Sequence, residues 1–177
     1  MDGNESDEDL RNLGDDMFTH FGLGCRSTTK IFLPEGFNLD RCFAQWVKWG
    51  EIGNHNKYAN NYDYHKAVWL LNREDLIENG FVLVKEERDG LVSPIGTLYV
   101  ERYDDLQEVR AQIDARADEL QVVTVRPDGA AWDALASSGS LRVVRCGANQ
   151  HPKLDDYADG VDTVQFLLSL KGGGGKA

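Results

Sequence analysis

The stretch IGTLYVERYDDLQEVRAQIDARADELQVVTV, Ile95–Val125, decides the fold, because its periodicity changes twice. Ile95 to Val100 is a β-branched and aromatic run with the composition of a strand. Asp104 and Asp105 each stand three residues before a capping partner, Gln107 and Glu108, which predicts a helix start. Behind them Leu106, Val109, Ile113, Ala117 and Leu120 are spaced three and four apart, one apolar stripe of a helix. Gln121 to Val125 then returns to strand composition. Strand, amphipathic helix and strand in succession form the unit of a parallel sheet covered by helices.

The same alternation extends to both sides. Ser6 and Asp9 resemble a helix start, and Leu10, Leu13, Met17 and Phe21 follow at helical spacing. Thr29 to Leu33 reads as a buried strand closed by Pro34-Glu35-Gly36, after which Asn38 or Asp40 can cap a second helix with Phe43, Val47 and Trp46 turned inward. Gly53 to Tyr64 is polar, loop-like at first and helical around Tyr64, Val68 and Leu71. Phe81 to Val84 and Ile95 to Val100 flank the charged turn Glu86 to Gly90, which predicts a hairpin or a pair of sheet strands. A short helix over Trp132 to Leu135 and a strand over Leu141 to Arg145 follow. The fold class is α/β, a mainly parallel sheet with helices on both faces. Residues 1–170 form one domain, and Lys171 to Ala177, with four consecutive glycines, is a flexible tail.

At 177 residues, 41% hydrophobic and 28% charged, the composition is globular. The apolar runs are too short to span a bilayer and no secretory pattern opens the chain, so a cytoplasmic location is expected. A net charge of -11 argues against nucleic acid as a partner. The acidic residues Asp2, Glu5, Asp7, Glu8 and Asp9 fit either a solvated tail or a helix N-terminus. Three cysteines at irregular spacing form neither a disulfide framework nor a zinc pattern, and no metal site is expected.

Cys25 is the candidate for chemistry. It lies in Phe21-Gly22-Leu23-Gly24-Cys25-Arg26-Ser27-Thr28-Thr29-Lys30, ahead of an apolar strand. A thiolate is the attacking species, and Arg26 and Lys30 supply positive charge nearby that favours it. Gly22 and Gly24 leave the backbone free and the approach to sulfur open. Free cysteines also serve as small buried hydrophobes, and the local residues alone leave both readings open. Cys42, beside Phe43 on an apolar helix face, reads as buried; Cys146, before Gly147 near a strand end, could be exposed but has no basic or capping context. A Cys-His arrangement drawing on His55 or His65 with Asp63 is less favoured than ordinary polar roles for these residues.

Beyond this local reading, Ser93-Pro94-Ile95-Gly96, Tyr103-Asp104-Asp105-Leu106 and Arg126-Pro127-Asp128 resemble the aldehyde dehydrogenase superfamily, in which such a block follows the nucleophilic cysteine. Asn4-Glu5-Ser6, the segment Phe21 to Arg26, the segment Asn54 to Tyr64 and the segment Asp156 to Thr163 resemble the bacterial acyl-CoA reductases, the long-chain fatty acyl-CoA reductases of the luminescence type. The resemblance covers nearly the whole chain except the glycine tail. It implies an aldehyde-dehydrogenase-like catalytic domain in which Cys25 attacks an acyl-CoA, coenzyme A leaves, and NADPH reduces the acyl thioester to an aldehyde. Gly24 and Arg26 support the loop, with the backbone N–H of Cys25 as oxyanion donor; Arg26 either lowers the thiolate pKa or, the favoured reading, is a surface charge. Asn54, His55, Asn56 and Tyr58 either line the acyl or coenzyme A channel or belong to a loop that satisfies its own backbone.

Members of the family are much longer and carry a dinucleotide-binding domain that has no counterpart here: no Gly-x-Gly-x-x-Gly follows a strand. The resemblance therefore implies the cysteine-bearing half of an enzyme, with NADPH bound mainly elsewhere and little or no turnover alone. A second copy or a partner subunit is an expected partner. The competing reading is a non-catalytic interaction module with an inert thiol. In the segment Asp156 to Thr163 a structural role, carboxylates seating a turn, is favoured.

Overall fold

The computed structural model describes residues 1–136, 141–154, 156, 157 and 161–171. The segment read as a flexible tail falls, from residue 172 onward, outside the described residues.

Helix α1 (Asp7–Phe18) starts where its cap dictates. The Asp9 N–H donates to Ser6 Oγ at 3.1 Å and the Ser6 N–H donates to Asp9 Oδ2 at 2.9 Å, a reciprocal capping box. Asp7, Glu8 and Asp9 occupy the positive end of the helix dipole. Glu5 is buried and accepts the N–H groups of Asp2 and Gly3, so the acidic opening is folded structure and no solvated tail. The stripe Leu10, Leu13 and Met17 is buried. Helix α2 (Asp40–Trp46) lies against it at Gly14, where a Cβ would stand 2.6 Å from Trp46 Cδ1. The Trp46 indole N–H donates to Leu10 O at 2.9 Å, and Cys42 and Trp46 are buried as read. Val47, expected to face inward, is exposed, because α2 ends one residue earlier and a 3₁₀ turn redirects the chain.

Strands β1 (Lys30–Pro34), β2 (Ile77–Glu78), β3 (Leu83–Glu86) and β4 (Thr97–Tyr103) form one sheet in the order β1-β4-β3-β2. β4 runs parallel to both β1 and β3, and only the edge strand β2 is antiparallel. Of the two forms expected for β3 and β4, the paired strands are found and the hairpin is not. Instead of reversing at Glu86–Gly90, the chain crosses back through Leu91 to Gly96 and is tied to β1 on the way. The Thr29 hydroxyl donates to Leu91 O and the Lys30 ammonium to Arg88 O.

Alternation along the strands places helices on both faces. Ile31, Leu33, Val84, Leu98 and Val100 meet α1 and α2. On the opposite face Leu83 and Tyr99 meet helix α3 (Asn56–Leu71), while Phe32 and Tyr103 meet helices α4 (Leu106–Ala115) and α5 (Ala130–Leu135). In α3 the buried side chains are Tyr58, Tyr62 and Trp69; Tyr64 and Leu71, expected to mark the helix, face solvent. The helix also begins earlier than its polar composition suggested.

A single sheet was expected. Strands β5 (Val123–Val125) and β6 (Val143–Arg145) instead pair parallel with each other as a second, two-stranded sheet. Helix α6 (Thr163–Lys171) exposes Val164, Phe166, Leu167, Leu168 and Leu170.

Candidate functional site

The Cys25 loop is built at the end of α1. The chain leaves the helix through a 3₁₀ turn in which His20 (φ 57°) and Phe21 (φ 61°) take left-handed conformations. Each such non-glycine residue costs roughly 1–2 kcal/mol. Gly22, at φ 71°, completes the reversal, and a Cβ there would press on Met17 O at 3.2 Å. At Gly24 a Cβ would meet Ser27 Oγ at 3.2 Å, and the Gly24 carbonyl accepts the Ser27 N–H at 2.9 Å. A tight turn thus encloses Cys25, whose side chain is exposed.

What holds this turn comes from distant sequence. Asp16 is 1% exposed and its carboxylate accepts the Gly147 N–H at 2.7 Å and the Asn149 N–H at 3.0 Å. Its carbonyl accepts the Thr28 N–H at 3.1 Å. Asn149, equally buried, donates from Nδ2 to Thr28 Oγ1 at 3.0 Å and accepts from the Thr124 hydroxyl at 2.5 Å. Gln150 Nε2 donates to Ser27 Oγ at 3.3 Å. Burial raises the Asp16 carboxyl to about 6, outweighing its two backbone donors. Sequence reading passed over Asp16, Thr28, Asn149 and Gln150. Asp16 carried a readable signal: it adjoins Met17 and follows Leu13 by three residues, so a carboxylate sits inside an apolar stripe and requires partners.

The two cations near Cys25 are both engaged, and Arg26, favoured as a surface charge, is instead buried because it pairs with a carboxylate. Arg26 is buried, with Nη1 3.7 Å from Asp156 Oδ2, and Arg142 Nη2 holds the other oxygen at 3.1 Å. Lys30 Nζ lies 2.6 Å from Glu101 Oε2, and Glu101 Oε1 accepts from Gln112 Nε2 at 2.9 Å. Each charge is offset by a carboxylate, so the basic surroundings expected from Arg26 and Lys30 are compensated. Asp156 also accepts the Lys153 N–H and Asp162 the Gln165 N–H. The Asp156 bond seats a turn as read for that segment, the Asp162 bond lies at the start of α6, and Asp156 adds the ion pair to Arg26.

Cys25 contributes to the wall of a cavity of about 190 Å³ that runs between residues 25–32 and residues 119–126. Leu106, Val109, Ile113 and Leu135 supply much of its apolar lining. Asn54, His55 and Asn56 are exposed at the start of α3, and the His55 ring lies 4.5 Å from that of Phe21. That contact brings their segment to the turn leading into Cys25. Tyr58 is buried instead, lining a crevice of about 20 Å³ with Gly22, Thr28 and Thr29, room for one water-sized group. His65 stacks near Trp69 on α3, and partial burial lowers its pKa.

Of the three cysteines, Cys42 and Cys146 are buried, and loss of solvation pushes both thiols up to about 12. Among the described residues no cluster of His, Cys, Asp and Glu could hold a metal ion, and no helix is long and apolar enough to cross a membrane. At the strand-to-helix turn ahead of α5, Gly129 faces the Asp2 carboxylate, which Arg126 holds at 2.9 Å, so this one turn is already filled and does not fit a pyrophosphate. Compared with known proteins, the chain matches no family model and no curated protein.

Proposed function

We propose that Cys25 is the nucleophile of an acyl-transfer step belonging to an aldehyde-forming acyl-CoA reductase. The observation carrying this reading is that Cys25 is the exposed thiol of the three, held in a turn fixed by the Asp16 and Asn149 network. The thiolate adds to the thioester carbonyl, a bond from Cys25 Sγ to the acyl carbon forms, and the bond from that carbon to the coenzyme A sulfur breaks. The leaving thiolate takes up a proton. The backbone N–H of Cys25 serves as an oxyanion donor, a contribution of ~3 kcal/mol when well aimed. Reduction of the acyl thioester to an aldehyde requires hydride from NADPH. Without that hydride the reaction stops at the acyl-enzyme.

Mass spectrometry after incubation with a long-chain acyl-CoA tests the step. An adduct on Cys25, absent from Cys25→Ala, is expected; labelling confined to Cys42 or Cys146 would sink the assignment.

The compensated charges of Arg26 and Lys30 favour a second reading, an interaction module whose thiol is inert. Iodoacetamide separates the two: alkylation of Cys25 no faster than that of free cysteine supports the module, and faster alkylation supports the nucleophile.

A further inference from the structure

The two sheets end on facing edges. In β1 the backbone groups directed at β4 belong to the odd-numbered residues, since the Tyr99 N–H donates to Thr29 O and the Glu35 N–H donates to Tyr103 O. Lys30 and Phe32 therefore point theirs to the opposite side, where β1 has no neighbouring strand among the described residues. The same holds in β5: the Val123 N–H donates to Arg142 O, immediately before β6, and Val123 pairs with Val143, so Thr124 turns its N–H and C=O away from β6. Both free edges border one cavity, which is lined by consecutive residues of each, 28–32 and 122–126. Unbroken runs of lining residues are what a wall made of backbone produces.

The edges also run in the same direction. Thr28 and Thr124 are joined through the Asn149 side chain. Farther along both strands, Phe32 O accepts the Met1 amine at 3.0 Å, and Arg126 binds the neighbouring Asp2 at 2.9 Å. Asn149 closes the cavity at the start of the two strands, and Met1 and Asp2 bridge it at their ends. Inside this frame Arg126 Nε is buried with no hydrogen-bond partner among the described residues. One bond already made across the slot, from the Met1 amine to Phe32 O, is of the kind a neighbouring strand makes.

We infer that residues 28–32 and 122–126 are the two banks of a slot for a further β-strand. The strand is an extended polypeptide segment parallel to β1 and β5, supplied by polypeptide other than residues 1–177. Its N–H and C=O groups pair with Lys30 and Phe32 on one side and with Thr124 on the other, joining the two sheets into one. Its apolar side chains alternate toward Leu106, Val109 and Ile113 of α4 and Leu135 of α5, and it leaves the slot at the position of Met1. The inference stands on backbone geometry and not on the chemistry assigned to Cys25.

Amide hydrogen exchange followed residue by residue tests it. In the chain as it stands, the Lys30, Phe32 and Thr124 amides are expected to exchange quickly while Ile31, Leu33, Val123 and Val125 are protected. The probe is the same chain with eight residues of alternating Val and Thr joined directly before Met1. Protection of Lys30, Phe32 and Thr124 is expected to rise roughly tenfold or more, with Ile31 and Leu33 unchanged as the report on folding. An extension with Pro at every second position, unable to donate, is expected to give no such rise.

No rise with the Val-Thr extension overturns the proposal. So does protection already present in the unextended chain, whether it grows with protein concentration, marking a second copy in the slot, or disappears on deleting residues 172–177, marking the chain's own end. If the extension disturbs Ile31 or Leu33, the same octapeptide added in trans gives the reading on the three edge amides by the same criteria.

Discussion

Asp16 is a carboxylate placed where water cannot reach it, and its value to the chain lies in two distant backbone N–H groups, those of Gly147 and Asn149. It fixes Gly147, Asn149 and Thr28 relative to α1, and with them the turn that carries Cys25. Its burial raises the folded-state pKa to about 6 from an ordinary 3.8. Between these values the folded chain binds a proton that the unfolded chain has released. Stability from this group is therefore present at low pH and lost as pH rises from about 4 to about 6. Urea unfolding of the parent chain and of Asp16→Asn at several pH values isolates it. The advantage of the parent over the variant should shrink across that window and level off above it. A flat difference would show that the carboxyl titrates near its usual value. The burial of Cys42 was legible from helix phase, whereas the local residues left Cys25 open between an exposed and a buried thiol, and the tertiary structure exposes it. The pairing of Arg26 with Asp156 was not legible, because no local rule links residues 130 positions apart.

At the scale of elements, caps were the reliable guides, while the apolar stripes ran past the helix ends, α1 stopping at Phe18 before Phe21 and α4 at Ala115 before Ala117 and Leu120. Ser6 with Asp9 starts α1 as read, and of the two caps read for α4 it is Asp105 that serves, its side chain accepting the N–H of Gln107 and not that of Glu108, because a cap is satisfied within three residues. The reading failed where local preference is weak. The α3 segment is rich in Asn and Tyr, and its buried face of Tyr58, Tyr62 and Trp69 becomes apparent only once β3 and β4 lie beneath it. The contact of α1 with α2 is equally tertiary. Gly14 admits the Trp46 ring so closely that any side chain must displace it. Gly14→Val is expected to lower unfolding free energy by about 1–3 kcal/mol, measured by urea denaturation. An unchanged midpoint would mean that α2 shifts freely, and that the Trp46 indole bond to Leu10 does not fix the helix pair.

Across the whole molecule, stability is concentrated in the layer between α1, α2 and the four-stranded sheet, where Leu10, Leu33 and Leu98 are fully buried. Leu33→Ala is expected to cost about 2–5 kcal/mol. Leu167→Ala, on a helix whose apolar side chains are more than half exposed, should change stability by less than about 0.5 kcal/mol. Comparable losses at the two sites would mean that α6 packs into the same cooperative core. The sequence by itself determined the α/β alternation, the capped helix starts, the buried Cys42 and the glycine-flanked position of Cys25, since each follows from contacts within a few residues. Only the tertiary structure decided that the sheet is split in two, that Arg26 and Lys30 are spoken for by carboxylates, and that Asp16 and Asn149 hold the cysteine turn. Those outcomes depend on hydrogen bonds and ion pairs between segments far apart in the chain. Nothing in local propensity or periodicity encodes which distant partner a buried polar group will find.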